Sequence, residues 1–291
     1  MTTERKNIKP RVDLSEDPLE VLTRTKVGWG KSKEAIWAEL EKKVDASGPA
    51  KLRVLIRPWM KIAAAAVLAL LVGISIFMQT YTKSLTVPAG QHSSLLFPDR
   101  STVQMNAQTT ITYKPLLWMF SRKVSLEGEA FFEVNPGKKF EVASKFGKTV
   151  VLGTSFNIYS RNSSYQVTCV TGKVRVIENT GKNEVVILPG QKAVLNPQGT
   201  LEIQSGAPAE QSISWIDNKL SFTSVPLQQV FEEIGRQYGV IIIIPGDLEN
   251  TYTGTFRRNI SIERSLNLVC KPFNLKFSQQ SKDEYIITRN N

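Results

Sequence analysis

The sequence predicts a mainly β protein with α+β character, laid out as a helical tail, a single transmembrane helix, an all-β domain and a small β-α-β-β-α-β-β module. Three observations carry that prediction. Residues Ile62–Met78 form an apolar run, and no charge falls between Lys61 and Lys83. From Leu85 to about Pro197, short alternating runs are punctuated by Gly, Asn, Asp and Pro, with no helical period between them. Beyond Trp215, runs of strand length alternate with apolar stripes at helical spacing.

The tail, residues 1–58, is polar with one strong helix signal. Ser32 is placed to cap, Glu34 sits in the first turn, and Ile36, Trp37, Leu40 and Val44 fall on one face. Glu39 and Lys43 add an i,i+4 pair. A weaker apolar pattern, Leu14, Leu19 and Leu22, suggests another helix. So short a segment builds little core of its own, so the Trp-centred stripe is expected to meet a partner rather than pack on itself.

The span follows, residues 59–82. At about 1.5 Å per residue, Ile62–Met78 reaches roughly 26 Å as a helix, and its flanks extend this toward the ~30 Å of a hydrocarbon slab. The run is apolar on every face, unlike the core helix of a soluble domain. Lys42, Lys43, Lys51, Arg53, Arg57 and Lys61 precede it with Asp45 against them, and after Lys83 no charge occurs until Asp99. This asymmetry predicts the tail in the cytoplasm and the rest outside. A cleaved signal peptide would need an n-region of about sixty residues, and Phe77–Tyr81 offers no small-x-small cleavage site.

The net charge of +11 raises nucleic acid as a partner, but the basic residues are spread along the chain. Their one dense group, Arg53-Arg57-Lys61, abuts the span, where it suits anionic headgroups. Direct nucleic-acid binding is therefore not expected. The two cysteines, Cys169 and Cys270, sit in apolar patterns and read as small buried free thiols rather than a bridge.

In the all-β stretch, residues 83–198, the candidate strands are Ser94–Phe97, Thr102–Met105, Thr110–Tyr113, Arg122–Leu126, Ala130–Val134, Phe140–Ala143, Thr149–Leu152, Phe156–Ser160, Tyr165–Val170, Lys173–Glu178, Glu184–Leu188 and Lys192–Leu195. Pro98-Asp99, Asn135-Pro136-Gly137, Thr171-Gly172 and Pro189-Gly190 supply turns. Many short strands without helices indicate a sandwich, roll or short solenoid. Residues 199–214, rich in Gly, Pro, Ser and Ala, read as a linker.

In the last module, residues 215–291, Leu220–Val225 reads as a strand. Leu227, Val230, Phe231, Ile234 and Tyr238 then line a helix that closes at Gly239. Val240–Ile244 is a continuous apolar run and predicts a central buried strand. After the strand Tyr252–Phe256, a second helix carries Ile262, Leu266, Val269, Cys270 and Phe273. Leu275–Ser278 and Glu284–Thr288 close the module, with both helices expected on one sheet face.

No motif points to catalysis, a metal or a cofactor. His92 is the single histidine and has no ligand partners at metal spacing, so it reads as a surface residue. Gly147-Lys148-Thr149 resembles the end of a P-loop, but Val142 stands where the first Gly belongs and a strand follows, so it reads as a turn. Glu127, Glu129 and Glu133 lie on or beside strands, with no second polar group near them in sequence.

The outer part nevertheless resembles a known family. Val87-Pro88-Ala89-Gly90-Gln91 and Phe97-Pro98-Asp99 are similar to the opening of the FecR family of transmembrane anti-sigma factors. The most characteristic segment runs from Arg122 through Leu126-Glu127-Gly128-Glu129-Ala130-Phe131-Phe132-Glu133-Val134. It is followed by Phe140–Val142, Gly153-Thr154-Ser155-Phe156-Asn157-Ile158, Val170–Val176 around Gly172 and Val174, and Leu188-Pro189-Gly190-Gln191. Trp215–Arg289, with Leu220-Ser221-Phe222, Pro226-Leu227, Tyr238 and Thr253-Gly254, resembles the module found in Bacteroidetes-type members, akin to the short N-terminal domain of secretins and TonB-dependent transducers.

Gly128, Glu129, Phe131, Phe132, Val134, Gly153, Thr154, Phe156, Gly172, Val174, Gly190 and Gln191 are expected to be scaffold. Gly128, Gly153, Gly172 and Gly190 should end strands at positive φ, and Phe131, Val134, Phe156 and Ile158 should supply an inward face. Arg100 departs from the family, which has Gly after the Asp of this turn, so the turn is either type I or differently shaped.

The resemblance implies a bacterial inner-membrane protein with a cytoplasmic N-terminus and a periplasmic C-terminus. It implies an extracytoplasmic-function sigma factor bound at Ile36, Trp37, Leu40 and Val44. It also implies a signal from the N-terminal signalling domain of an outer-membrane TonB-dependent transducer, with release by periplasmic and intramembrane proteases. The alternative is a membrane-anchored adaptor that docks a secretin-like complex without transcriptional output.

Overall fold

The computed structural model describes residues 30–46, 58–206, 209–244, 246 and 248–290; the Leu14–Leu22 pattern lies outside them. Contacts divide the chain into two units, residues 1–65 and 66–291. In the first, Lys33–Ala46 forms the tail helix. Ser32 Oγ accepts from the Ala35 N–H at 3.2 Å, so the expected cap is present. The helix Pro58–Thr80 carries the apolar run. Among the described residues it is the one helix long and apolar enough to cross a membrane. It stops two residues short of the expected 82.

The all-β domain contains strands β1 (Lys83–Val87), β2 (Ser93–Leu96), β3 (Thr102–Met105), β4 (Thr109–Tyr113), β5 (Arg122–Glu133), β6 (Phe140–Ala143), β7 (Gly147–Val151), β8 (Ser155–Arg161), β9 (Ser164–Cys169), β10 (Val174–Glu178), β11 (Glu184–Ile187), β12 (Gln191–Leu195) and β13 (Leu201–Ser205). One sheet runs β1-β4-β5-β6-β7-β10-β11 and the other β2-β3-β5-β8-β9-β12-β13, so the two share β5. The predicted strands Arg122–Leu126 and Ala130–Val134 are thus one strand. Its first half pairs with β4 and β6, and its second half with β3 and β8.

Gly128 marks the change of sheet. It does not end a strand, as expected, but sits within one at φ +115°, where a Cβ would meet the Thr109 Cα at 2.7 Å. Gly153 has no positive φ; it is small because a Cβ there would meet the Pro136 Cα at 2.7 Å.

The two sheets enclose one core, with Phe97 stacked on Trp118 at 4.7 Å and Phe132 on Phe156 at 5.2 Å between ring centroids. β5 gives Val124, Leu126, Ala130 and Phe132 to this core, and Val134 follows just beyond the strand. Phe131, expected inward, is buried but alternates to the opposite face with Glu129.

Two further expectations change. The supposed linker is largely structured: β13 pairs with β12, and Ala209–Ser212 forms a helical turn. Gly147-Lys148-Thr149 opens β7 rather than forming a turn. At Phe97–Ser101, Arg100 takes φ +64° while its N–H donates to the Phe97 carbonyl at 2.9 Å. This is the left-handed position that glycine fills without strain.

In the C-terminal module the helices are Leu227–Tyr238 and Ile262–Cys270. Gly239 closes the first at φ 71°, and Ser261 Oγ caps the second by accepting from the Arg264 N–H at 3.3 Å. The strands are β14 (Lys219–Pro226), β15 (Ile241–Ile243), β16 (Thr251–Arg257), β17 (Leu275–Ser281) and β18 (Glu284–Arg289). They form two sheets, β14-β16 and β15-β18-β17, not one. The first helix contacts strands of both sheets, so the expected single helix-covered face is corrected to two sheets with that helix against both. The apolar run at Ile241–Ile243 is an edge strand, parallel to β18, with Ile241 64% exposed. Continuous apolarity alone does not place a strand at a sheet centre.

Candidate functional site

Two surfaces carry functional potential. On the tail helix, Ile36, Trp37, Leu40 and Val44 are all exposed, Trp37 by 63%. Lys31 and Lys43 both reach Glu39, at 2.6 and 4.0 Å. Exposed pairs of this kind add little to the helix.

The second is the junction between the all-β domain and the C-terminal module. Strand alternation puts Glu129, Asn157, Tyr159, Gln166 and Thr168 on the face of their sheet away from the sandwich core. The helix Leu227–Tyr238 buries Leu227, Val230, Phe231 and Ile234 in its own module, which leaves Gln229, Glu233 and Gln237 for this face. Glu129 is buried and accepts from Asn106 Nδ2 at 2.7 Å and Asn157 Nδ2 at 2.9 Å. Gln237 Nε2 donates to Asn106 Oδ1 at 2.6 Å and Glu233 Oε1 at 2.8 Å, and Gln237 Oε1 lies 3.0 Å from His92 Nε2. Arg161 donates to the Ala107 and Gln108 carbonyls at 2.5 and 3.0 Å beside the same cluster.

Main chain joins the modules as well. The Gly90 N–H donates to the Arg236 carbonyl at 2.8 Å, and Arg258 donates to the Gly90 carbonyl. Asn162 Nδ2 reaches Glu232 at 2.8 Å.

Burial raises the Glu129 carboxyl to about 7, helped by the nearby Glu233 charge and opposed by Arg161 and the two asparagines. Burial likewise lowers the His92 imidazole, with Arg258 adding to the effect and Gln237 opposing it. His92 is thus no simple surface residue: it is half-buried and edge-on to Trp215, at 5.3 Å between ring centroids.

A cavity of about 180 Å³ lies beside Glu129, lined also by Asn157, Thr168, Trp215, Phe222 and Glu233. Asn157 and Trp215 line it, and the buried Asn157 Oδ1 and Trp215 Nε1 have no protein hydrogen-bond partner. The cluster is a polar joint: amides and carboxyls hold two modules together. Among the described residues no group of three His, Cys, Asp or Glu side chains could hold a metal ion.

The remaining motif residues fall around the fold. Val174 and Phe156 are in the sandwich core. Thr154 is buried, and its Cγ2 lies where a Cβ on Gly172 would come within 2.5 Å. Gly172 takes φ +74° and Gly190 φ +77°. Gln191 Oε1 accepts from the Leu188 N–H at 2.8 Å and closes the turn at Gly190. Of the motif residues, Glu129 alone joins the polar cluster, as Phe131 shares its face. Asn106, Asn157, Glu233, Gln237 and His92 were not foreseen, because they come together only through the fold. The one local signal is the i,i+4 pair Glu233 and Gln237, set off the apolar stripe of their helix.

The model for the FecR protein matches residues 83–175, and the model for the FecR C-terminal region matches residues 219–287. Two crystal structures of a candidate anti-sigma factor from Parabacteroides distasonis ATCC 8503, at 2.50 and 1.65 Å resolution, align with a TM-score of 0.67 and 24% identity. Each alignment covers 72% of this chain and 100% of the other, a likeness of fold. No protein of curated function matches. The two family matches together span more than half of the 291 residues and fall on the two modules that meet at Glu129 and Gln237, and on that ground the chain belongs to the FecR family.

Proposed function

We propose that the chain is a single-pass anti-sigma factor of the bacterial inner membrane, whose cytoplasmic tail captures an extracytoplasmic-function sigma factor. Family membership supports the regulatory class. The observation that carries the binding site is the exposed stripe Ile36, Trp37 and Leu40 on a capped helix, continued by Val44. Trp is the residue most enriched among interface hot spots. The charge asymmetry across Pro58–Thr80 supports a cytoplasmic tail and periplasmic modules.

The periplasmic part receives its signal from the N-terminal signalling domain of an outer-membrane TonB-dependent transducer. The Glu129–Gln237 joint suits such a relay, because it holds two modules by polar bonds that a competing partner can exchange. Release of the tail with its sigma factor then requires a change carried through one helix or cut by proteases. No direct contact with nucleic acid enters this scheme.

The test is a titration of residues 1–60 against a sigma factor encoded beside this chain. Trp37→Ala should weaken capture by roughly thirtyfold, from a hot-spot loss of ~2 kcal/mol. Glu41→Ala should change it little. Equal binding by wild type and both variants would move the contact off this stripe, and no binding by wild type would favour the adaptor reading.

A further inference from the structure

Strand direction places several loops at one end of the all-β domain. The helix Pro58–Thr80 is separated from β1 only by Tyr81 and Thr82, and β1 then runs away from it. β4 pairs antiparallel to β1, with Tyr113 opposite Lys83, so β4 runs back toward the helix and delivers the 114–121 turn there. Lys114 Nζ donates to the Gln79 carbonyl at 2.5 Å, which ties that turn to the last turn of the helix. The register of β5, β6 and β7 brings the 135–139 loop and Leu152 to the same end: Arg122 pairs with Phe140, and Phe140 with Val151. Lys138 Nζ donates to the Met119 carbonyl at 3.3 Å and joins the two loops.

What this end presents is unusual for a surface in water. Met119 is 77% exposed, Phe120 79% and Leu152 63%, with Leu116 beside them at 41%. Trp118, in the same turn, is buried in the core, so the turn is held rigid from below. Around the apolar tips stand Lys83, Lys114 and Lys138; of the acids nearby, Asp99 is engaged by Arg122 at 2.8 Å and Glu141 by Lys139 at 2.6 Å, and Glu133 accepts from Thr102 Oγ1 at 3.0 Å. An exposed apolar cluster ringed by lysine is the pattern of a surface that sits in the headgroup–acyl boundary of an anionic bilayer.

We propose that this end of the all-β domain is a membrane-docking surface. Leu116, Met119, Phe120 and Leu152 enter the leaflet from which the helix emerges, and the lysines lie among its anionic headgroups. The proposal rests on the reading of Pro58–Thr80 as a spanning helix. Continuity with that helix, through Lys114 and the β1–β4 ladder, makes the occupant a lipid surface rather than a protein. Docking would fix the angle of the periplasmic modules to the membrane and leave the joint at Glu129 facing outward.

The full chain, reconstituted in nanodiscs, tests this with single cysteine probes at Met119→Cys, Phe120→Cys, Gln279→Cys and Leu70→Cys, with the buried Cys169 and Cys270 left in place. The lipids carry nitroxides either near the headgroups or near the bilayer centre. Probes at 119 and 120 should be quenched by the shallow nitroxide, more so when phosphatidylglycerol replaces part of the phosphatidylcholine. The probe at 279 should stay unquenched, and the probe at 70 should be quenched by the deep nitroxide. Lys83→Gln should lower the docked-to-undocked ratio by about fivefold in the anionic discs. Quenching at 70 without quenching at 119 and 120 overturns the docking surface and leaves the span standing. No quenching at 70 overturns the span and the docking surface with it.

Discussion

Replacing Glu129 by Gln should change how the stability of the periplasmic part depends on pH. The carboxyl is buried and raised from 4.5 to about 7, first by burial and then by Glu233. The folded protein therefore holds its proton more tightly than the unfolded chain does. The stability that this carboxyl supplies is complete below pH 4.5 and is lost as the pH climbs through about 7. At about 1.4 kcal/mol per tenfold in proton affinity, the loss across that window is about 3 kcal/mol.

Glu129→Gln removes the titration but need not break the cluster. The Asn157 Oδ1 has no partner, and turning that amide over offers it to the N–H that the substitution introduces. The assay is urea unfolding of residues 83–291 at a series of pH values, wild type beside variant. The two should be similarly stable near pH 4.5, and the variant should be the more stable by about 2–3 kcal/mol at pH 8. Taking the difference cancels the titration of groups that do not sense the Glu129 charge, which excludes its neighbour Glu233. Parallel curves would refute the reasoning, and would mean that Glu129 is solvated or ion-paired in the folded protein.

Arg100→Gly should stabilise the domain by about 0.5–1 kcal/mol in the same assay: it relieves a left-handed backbone worth about 1–2 kcal/mol but loosens the unfolded chain. Gly153→Ala should destabilise by about 2 kcal/mol or more, since the new Cβ meets main chain of Pro136 at 2.7 Å; an unchanged urea midpoint would show that this loop yields freely. Cys169 and Cys270, free and buried with thiols raised to about 11 and about 12 by burial, should resist iodoacetamide at pH 8 until urea is added. A Cys169–Cys270 bridge found by mass spectrometry of unreduced protein would contradict this.

Local pattern made most of the strands and helices legible, because alternation and helical spacing report directly which side of an element is buried. Thr102–Met105 matches to the residue, and the helix of Leu227, Val230, Phe231 and Ile234 ends at Gly239 as its αL cap requires. Pairing was less legible. Glycine at 128 reads as a break between two strands, whereas the fold uses it to bend one strand past Thr109. β1, Lys83–Val87, gave no expectation at all, since Lys83-Ser84-Leu85-Thr86-Val87 is too short to show a period before the turn at Gly90.

The junction was the least legible part. Glu129, Asn106, Asn157 and Gln237 lie as far as 131 positions apart. Each is ordinary in its own segment, and only the packing of a helix on the outer face of a sheet gives them a common purpose.

The sharing of β5 has a mechanical consequence. The sheet that holds its first half also holds β1, which continues the membrane-length helix. Its second half carries Glu129 to the C-terminal module. A pull on that module travels along a single covalent strand, then across the ladders β5–β4 and β4–β1, to the helix. In the β1–β4 ladder, where Lys83 faces Tyr113 and Val87 faces Thr109, tension drawn along β1 loads the bonds side by side, in shear, rather than opening them one after another. The domain is built as a tendon: strain applied at its far end reaches the helix before the sheets come apart.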